Sequence, residues 1–293
     1  MSSTSAPGLA WIDHPDPQGC WGEPGELSLP LADRGLQLAD GLFETVLVLE
    51  GQPRLLAEHL ERWRHSARLL GLEAPPTIDR VAPLAAAAVE RSGIRSGALR
   101  LNWSRGMGEA AAASRGLAIP PRCRHRFWLQ LSAALPRFTP VRVIVSPSER
   151  RCATSVLSRC KTFAYGSAIQ ARRQAEDAGS DDALLESTAG GLCCSTAANL
   201  LVRRQGRWLT PPLASGCLPG VMRARALQLG LAEEATRAPI TPADLEHGDG
   251  ALLLNSLGCR PISHLHGTAL ASGVTSTAAA TEAERFWRRL LEP

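Results

Sequence analysis

Lysine is almost missing from this sequence: of 32 basic residues, 31 are arginine and one, Lys161, is lysine. Arginine serves wherever only a positive charge is wanted, but it cannot replace an amine that must deprotonate and attack a carbonyl. A background that excludes lysine elsewhere directs attention to that amine, whose repertoire includes Schiff-base chemistry. A lone surface lysine without a role is the competing reading. Tyrosine is equally scarce, with Tyr165 alone. No apolar run approaches the roughly 18 residues that span a bilayer, so no membrane partner is expected. The first residues lack a basic stretch followed by an apolar one, which argues against a secretory signal and for a cytoplasmic protein. Eight cysteines, at 20, 123, 152, 160, 193, 194, 217 and 259, contain no CxxC pair. A zinc site therefore has no spacing support, no metal is expected, and reduced thiols are the natural state. A dense basic stripe is also absent. The net charge is +4, and the short clusters Arg122 to Arg126 and Arg223 to Arg225 carry no interleaved aromatics, so nucleic acid is not an expected partner.

What is present is an ordinary globular composition, 44% hydrophobic and 20% charged over 293 residues, enough for one large or two medium domains. Residues 1–20, rich in Ser, Pro and Gly, suggest a flexible start. Residues 26–50 hold apolar stretches around LADRGLQLADGLFET. Leu56, Leu60, Trp63, Ala67 and Leu70 recur at helical spacing, and Gly71 with Pro75 and Pro76 ends that helix. A second helix is expected over 79–92. In ALRLNWS, Leu99, Leu101 and Trp103 alternate with polar residues as in a half-buried strand, and FWLQLSA (127–133) reads as the next. The residues between them read as a loop. Pro136 and Pro140 mark a boundary, giving a smaller N-terminal domain over 1–135 and a larger C-terminal domain over 136–293 that carries the lysine. Beyond it come a strand at 141–146, a helix over about 166–178, strands in DDALLES and NLLVRR, a Gln205-Gly206 hairpin, a helix starting near Val221, and a strand at 251–256.

Seven segments resemble the class IV aminotransferases, the fold type IV pyridoxal-phosphate (PLP) enzymes, and among them most closely aminodeoxychorismate lyase. They are DRGLQLADGLFET (33–45), EHLERWRHSARLLGL (58–72), NWSRGMG (102–108), KTFAYGSAIQARRQAEDAG (161–179), DDALLESTAGGLCCSTAANLL (181–201), LTPPLASGCLPGVMRARAL (209–227) and LLNSLGCRPI (253–262). They run in the family's order, and the lone lysine falls at the cofactor-lysine position. The resemblance implies a two-domain α/β fold, PLP as cofactor, a homodimer, and conversion of 4-amino-4-deoxychorismate to 4-aminobenzoate and pyruvate for folate synthesis. An aminotransferase for branched-chain or D-amino acids is the alternative, and a catalytically impaired or purely binding relative a third.

The resemblance assigns Lys161 to hold the cofactor and to act as acid and base on the substrate carbon. It puts Arg62 at the phosphate position, where a guanidinium offers paired donors; without the resemblance, Arg62 reads as the edge of an amphipathic face. Tyr165 reaches the cofactor's phenolic oxygen or is an ordinary packed tyrosine. In LPGVMR, the amides of Val221 and Met222 at a helix start suit an anion. Ser256 and Leu257 would add a hydroxyl and an amide. For substrate carboxylates the sequence offers Arg105, with Arg34 and Arg260 as rivals. His264 and His266 form a pair without a third ligand and read as a strand end.

One departure stands out. Five residues before the asparagine of the AAN motif, here Asn199, the family carries a glutamate against the pyridine nitrogen; this chain has Cys194. A carboxylate keeps that nitrogen protonated and the ring a strong electron sink, whereas a neutral thiol is a weak donor. The change favours elimination, in which proton loss is coupled to departure of the enolpyruvyl group and aromatisation, over transamination. It also leaves room for lost activity.

Overall fold

A computed structural model describes residues 8–14, 16, 18–108, 116–270 and 276–292. Their contacts divide the chain into two units: residues through Leu135 together with Cys160–Ala164, and Pro136–Arg159 together with Tyr165 onward.

The first unit is a six-stranded antiparallel sheet in the order β2-β1-β6-β5-β3-β4. Its strands are β1 (Leu9–Ile12), β2 (Cys20–Gly22), β3 (Gly41–Leu49), β4 (Gln52–Pro53), β5 (Gly97–Gly108) and β6 (Cys123–Ala133). Three helices accompany it: α1 (Arg34–Leu38), α2 (Leu56–Leu69) and α3 (Ile78–Ser92). Strand alternation gives the sheet two characters. Leu42, Val46 and Val48 of β3 pair with Trp103, Leu99 and Gly97 of β5, and these apolar side chains meet Trp63, Ala67, Val81, Ala85 and Ala88 of the helices in one core. Phe43 and Thr45, opposite Asn102 and Arg100, point to the other face. The expected flexible start needs correcting: Trp11 of β1 is buried and its ring lies 5.4 Å from that of Phe127. Residues 1–7 and the segment 109–115 of the expected loop lie outside the described residues.

The second unit holds a nine-stranded mixed sheet. Its strands are β7 (Val141–Arg151), β8 (Asp182–Ser187), β9 (Leu192–Ser195), β10 (Asn199–Arg204), β11 (Arg207–Thr210), β12 (Glu233–Glu234), β13 (Gly250–Asn255), β14 (Gly258–Leu265) and β15 (Thr268–Ala269). Its helices are α4 (Gly166–Asp177), α5 (Val221–Gln228), α6 (Pro242–His247) and α7 (Ser276–Arg289). The order β10-β13-β14-β7-β8-β9 closes into a barrel-like ring, because β9 pairs back onto β10 through Cys194 and Asn199. Gln205 and Gly206 both take positive φ, 51° and 76°, as the tight β10–β11 hairpin requires. No helix among the described residues is long and apolar enough to cross a membrane.

Candidate active site

Lys161 sits on an extended segment laid antiparallel along the edge of β3. Leu42 and Thr162 are bridge partners, the Phe43 amide donates to the Lys161 carbonyl oxygen at 2.9 Å, and the Phe163 amide donates to Gly41 O at 3.1 Å. These bonds place Lys161 in the first unit, whereas the sequence reading had it carried by the C-terminal domain. Cys160 and Thr162 are buried, and Lys161 and Phe163, alternating with them, are half-buried. Lys161 Nζ lies 4.3 Å from the centroid of the Phe43 ring. Arg100 shares that ring, its guanidinium carbon 3.6 Å from the centroid and its Nε donating to Asn102 Oδ1 at 2.8 Å. Two cations gathered on one aromatic ring make this face of the sheet attractive to anions. Gly41 is needed here, since a Cβ would come 2.2 Å from Phe163 Cε2.

Arg62 lies on α2, three residues after His59, so the two share a helix face. Both meet Glu44 of β3. Arg62 Nε donates to Glu44 Oε1 at 2.9 Å and Nη2 to Oε2, while His59 Nδ1 lies 2.7 Å from Oε2. Glu44 and His59 are each 1% exposed and Arg62 10%. Burial alone would raise the Glu44 carboxyl, but the Arg62 guanidinium and His59 outweigh it and hold it at about 2. Burial lowers His59 against the opposing pull of Glu44, and the positive charges of Arg62 and Lys161 push the same way as burial.

The arginines expected to bind substrate are occupied otherwise. Arg105 Nε donates to Asp40 at 2.8 Å, Nη1 to Gly71 O at 2.7 Å and Nη2 to Leu70 O at 2.9 Å. Arg34 is buried on the same Asp40 oxygen at 2.9 Å and also holds the carbonyls of Gly116 and Ala118. In the second unit, Arg260 donates to the carbonyls of Thr139 and Pro140. All three fasten backbone segments together.

Also in the second unit, Tyr165 stands half-buried at the N-cap of α4. Cys194 is 7% exposed and lies directly across from Asn199, whose Nδ2 donates to Leu218 O at 2.9 Å. The neighbouring thiol of Cys194, together with burial, pushes Cys193 up to about 12, so Cys193 stays protonated. Glu186, the acid nearest in sequence, pairs with Arg150 at 2.9 Å. Helix α5 starts at Gly220 with no side-chain cap, so the amides of Val221 and Met222 begin a helix whose own side chains do not neutralise its positive end. A Cβ at Gly220 would come 2.0 Å from Asn199 Oδ1, which fixes glycine at that start. Ser256 and Leu257 form the β13–β14 turn, where the Leu257 amide is already given to Asn255 Oδ1 at 2.8 Å.

The family model for amino-transferase class IV matches residues 41–265. The chain belongs to that family. Among class IV aminotransferase relatives, a Methanocaldococcus jannaschii protein provisionally named a branched-chain-amino-acid aminotransferase is 28% identical over 223 residues, covering 74% of this chain and 75% of that protein. The bifunctional aminodeoxychorismate lyase / D-amino acid transaminase of Mycobacterium tuberculosis is 25% identical over 261 residues, covering 80% of this chain and 84% of that protein. The crystal structure of a Legionella pneumophila protein, provisionally named 4-amino-4-deoxychorismate lyase, superposes with a TM-score of 0.77 at 27% identity, covering 88% of this chain and 95% of its own. From the sequence, Asp40 and Glu44 could be read as a carboxylate pair or, preferably, as holding the fold by hydrogen bonds, whereas Arg100 and Phe43 drew no reading as site residues. Arg100 was read only as the polar partner in an alternating strand. The register that sets it opposite Thr45 joins segments far apart in sequence, and the pattern ALRLNWS alone carries no sign of it.

Proposed function

We propose that this class IV enzyme is a PLP-dependent lyase that converts 4-amino-4-deoxychorismate to 4-aminobenzoate and pyruvate. The observation that carries the reading is Cys194, a buried thiol facing Asn199 across the β9–β10 closure where the family pattern has a carboxylate. PLP, when bound, supplies an electron-withdrawing ring that eases proton removal from the substrate carbon. A thiol does not reinforce that sink, so chemistry with its own driving force, aromatisation, suits the site better than reversible amino transfer.

In this reading Lys161, the chain's single amine side chain, holds the cofactor. The family resemblance assigns Arg62 to the cofactor's phosphate, and it assigns the amides of Val221 and Met222 to an anion as well. Arg100, stacked on the ring that Lys161 also contacts, binds a substrate carboxylate, a role the engaged Arg105 is poorly placed to fill. Lys161 Nζ takes the proton from the amine-bearing ring carbon. The bond between the ring carbon and the enolpyruvyl ether oxygen then breaks, the ring becomes aromatic, and the departing enolpyruvate takes up a proton, returned by Lys161 Nζ, to become pyruvate. Tyr165, the α4 N-cap, is assigned to the cofactor's phenolic oxygen. As in the family generally, a homodimer is expected, and light scattering on the eluted protein reads it directly.

The test is the visible spectrum of the purified protein with PLP, with and without borohydride, beside Lys161→Ala. A band that borohydride bleaches, absent from the variant, supports the lysine's role. Formation of 4-aminobenzoate with equimolar pyruvate then identifies the lyase, whereas amino transfer to a 2-oxo acid in its place identifies an aminotransferase. No band at any PLP concentration overturns the cofactor reading.

A further inference from the structure

Glu44 and His59 have no part in the reading above, although they surround its phosphate-binding arginine. As simple electrostatics, a carboxylate there is a disadvantage: it cancels the charge of Arg62 and weakens its attraction for a dianion. Nor does stability explain it well, since a buried ion pair is often replaceable by apolar side chains without loss. What the carboxylate does supply is direction. A guanidinium is planar, and Glu44 engages it along one edge, Nε and Nη2 together, so the plane and the opposite edge are fixed. The second oxygen contact acts on His59. A neutral ring that donates Nδ1–H to Glu44 Oε2 must carry its lone pair on Nε2. The three side chains come from two elements: Glu44 from β3, His59 and Arg62 from adjacent turns of α2. Glu44 also directly follows Phe43, whose amide holds the Lys161 carbonyl and whose ring lies under Lys161 Nζ. A single carboxylate thus ties the arginine, the histidine tautomer and the strand against which the lysine's segment lies into one unit of geometry.

We infer that Glu44 is a positioning residue for anion recognition, setting the plane of Arg62 and the tautomer of His59 at the expense of net positive charge. The inference rests on the assignment of Arg62 to a phosphate, and it predicts an effect opposite in sign to that of charge alone. Removing the negative charge while keeping the shape, as in Glu44→Gln, should strengthen phosphate binding if Glu44 merely neutralises Arg62. If Glu44 positions Arg62, binding should weaken.

The experiment titrates the full-length, cofactor-stripped protein with inorganic phosphate and, separately, with PLP, following tryptophan fluorescence. Wild type, Glu44→Gln, Glu44→Asp and Arg62→Ala are compared, and ¹⁵N shifts of the histidine rings report the His59 tautomer. Glu44→Gln is expected to bind both ligands about tenfold more weakly, the order of one lost oriented, charge-assisted contact, with His59 no longer held as the Nδ1–H form. Glu44→Asp, which keeps the charge on a shorter arm, should fall between it and wild type and serves alone should the glutamine variant not fold. Phosphate binding by Glu44→Gln or Glu44→Asp as tight as wild type or tighter, with the tautomer unchanged, overturns the inference. Loss of phosphate binding in Arg62→Ala, alongside such a result, would leave the arginine's own assignment standing. Wild-type phosphate binding that Arg62→Ala does not alter removes both together.

Discussion

In the first unit, buried carboxylates are met by cations and other donors, beside neutral buried groups such as Asn102 and Ser104. Glu44 meets Arg62 and His59, and Asp33 accepts from Ser104 Oγ at 2.9 Å and from the Gly35 amide at 2.8 Å, with Arg126 nearby. In the second unit, the closure of the ring is lined by thiols instead: Cys193, Cys194 and Cys217 are buried with Ile144, Ala171, Ala175, Ala183 and Leu185. Their hydrogen bonds run to backbone carbonyls and to Ser215, as from Cys193 to Ser215 O at 3.4 Å and from Cys217 to Pro211 O at 3.5 Å. Buried charge is present in that unit too, in Arg223 paired with Glu234 and in Asp182 paired with Arg172. The difference separates two ways to preorganise a site. Paired charges fix direction and are intolerant of losing a member; thiols and amides fix shape and leave the electrostatics weak. A cofactor bound by the first kind of surface is held firmly, and one whose ring meets the second kind is little activated by the protein.

Variants can break this contrast from either side. The largest effect belongs to Lys161→Ala, which should cost about 10²–10⁴-fold in turnover, the usual worth of a positioned acid–base group, while leaving thermal unfolding near wild type. Glu44→Ala, which removes the buried carboxylate that Arg62 and His59 share, should lose roughly 3–5 kcal/mol of stability, readable by urea unfolding. Cys194→Ala, by comparison, should lose far less, because no partner charge is left behind. If the two losses came out equal, the distinction between the units would fail.

Acid unfolding probes the same point without mutation. Glu44 has its ordinary value of 4.5 lowered to about 2 in the folded protein. Its contribution is therefore complete above pH 4.5 and is lost as pH falls toward 2, at most about 3 kcal/mol. His59, kept neutral by burial, adds to the loss once pH drops below its ordinary 6.5, because the unfolded chain takes up the proton first. Stability should thus decline in two stages on acidification, and Glu44→Gln should flatten the lower one. The smallest expected effect sharpens the second unit's side: Cys194→Glu should raise amino transfer relative to elimination roughly tenfold, the equivalent of one pKa unit of added sink strength. An unchanged ratio would show that this position does not choose the reaction.

Local signals were legible where they were strong. The spacing of Leu56, Leu60, Trp63 and Ala67 marked α2, which spans Leu56–Leu69, and Gln205-Gly206 marked its hairpin. β3 was not legible as a strand, because Gly41–Leu49 is buried on both faces and shows no alternation. α7, Ser276–Arg289, drew no reading, although its second half, EAERFWRR, is amphipathic. Lys161 drew attention through its scarcity and through the resemblance. Its neighbours were not legible. Whether an arginine is free for substrate depends on partners such as Asp40, 65 residues from Arg105, and no spacing rule reaches that far.

The five residues Cys160–Ala164 belong to the first unit while the chain on both sides of them belongs to the second. The polypeptide accordingly passes between units at three points: after Leu135, after Arg159 and after Ala164. No single cut can separate them. A fragment ending at residue 135 would have β3 with its edge bare and no lysine, and the complementary fragment would carry Lys161 with nothing to hold its strand. Exchanging whole halves at any one junction before Cys160 would therefore part the lysine from the sheet it lies on, and the first unit is complete only once Ala164 has been made.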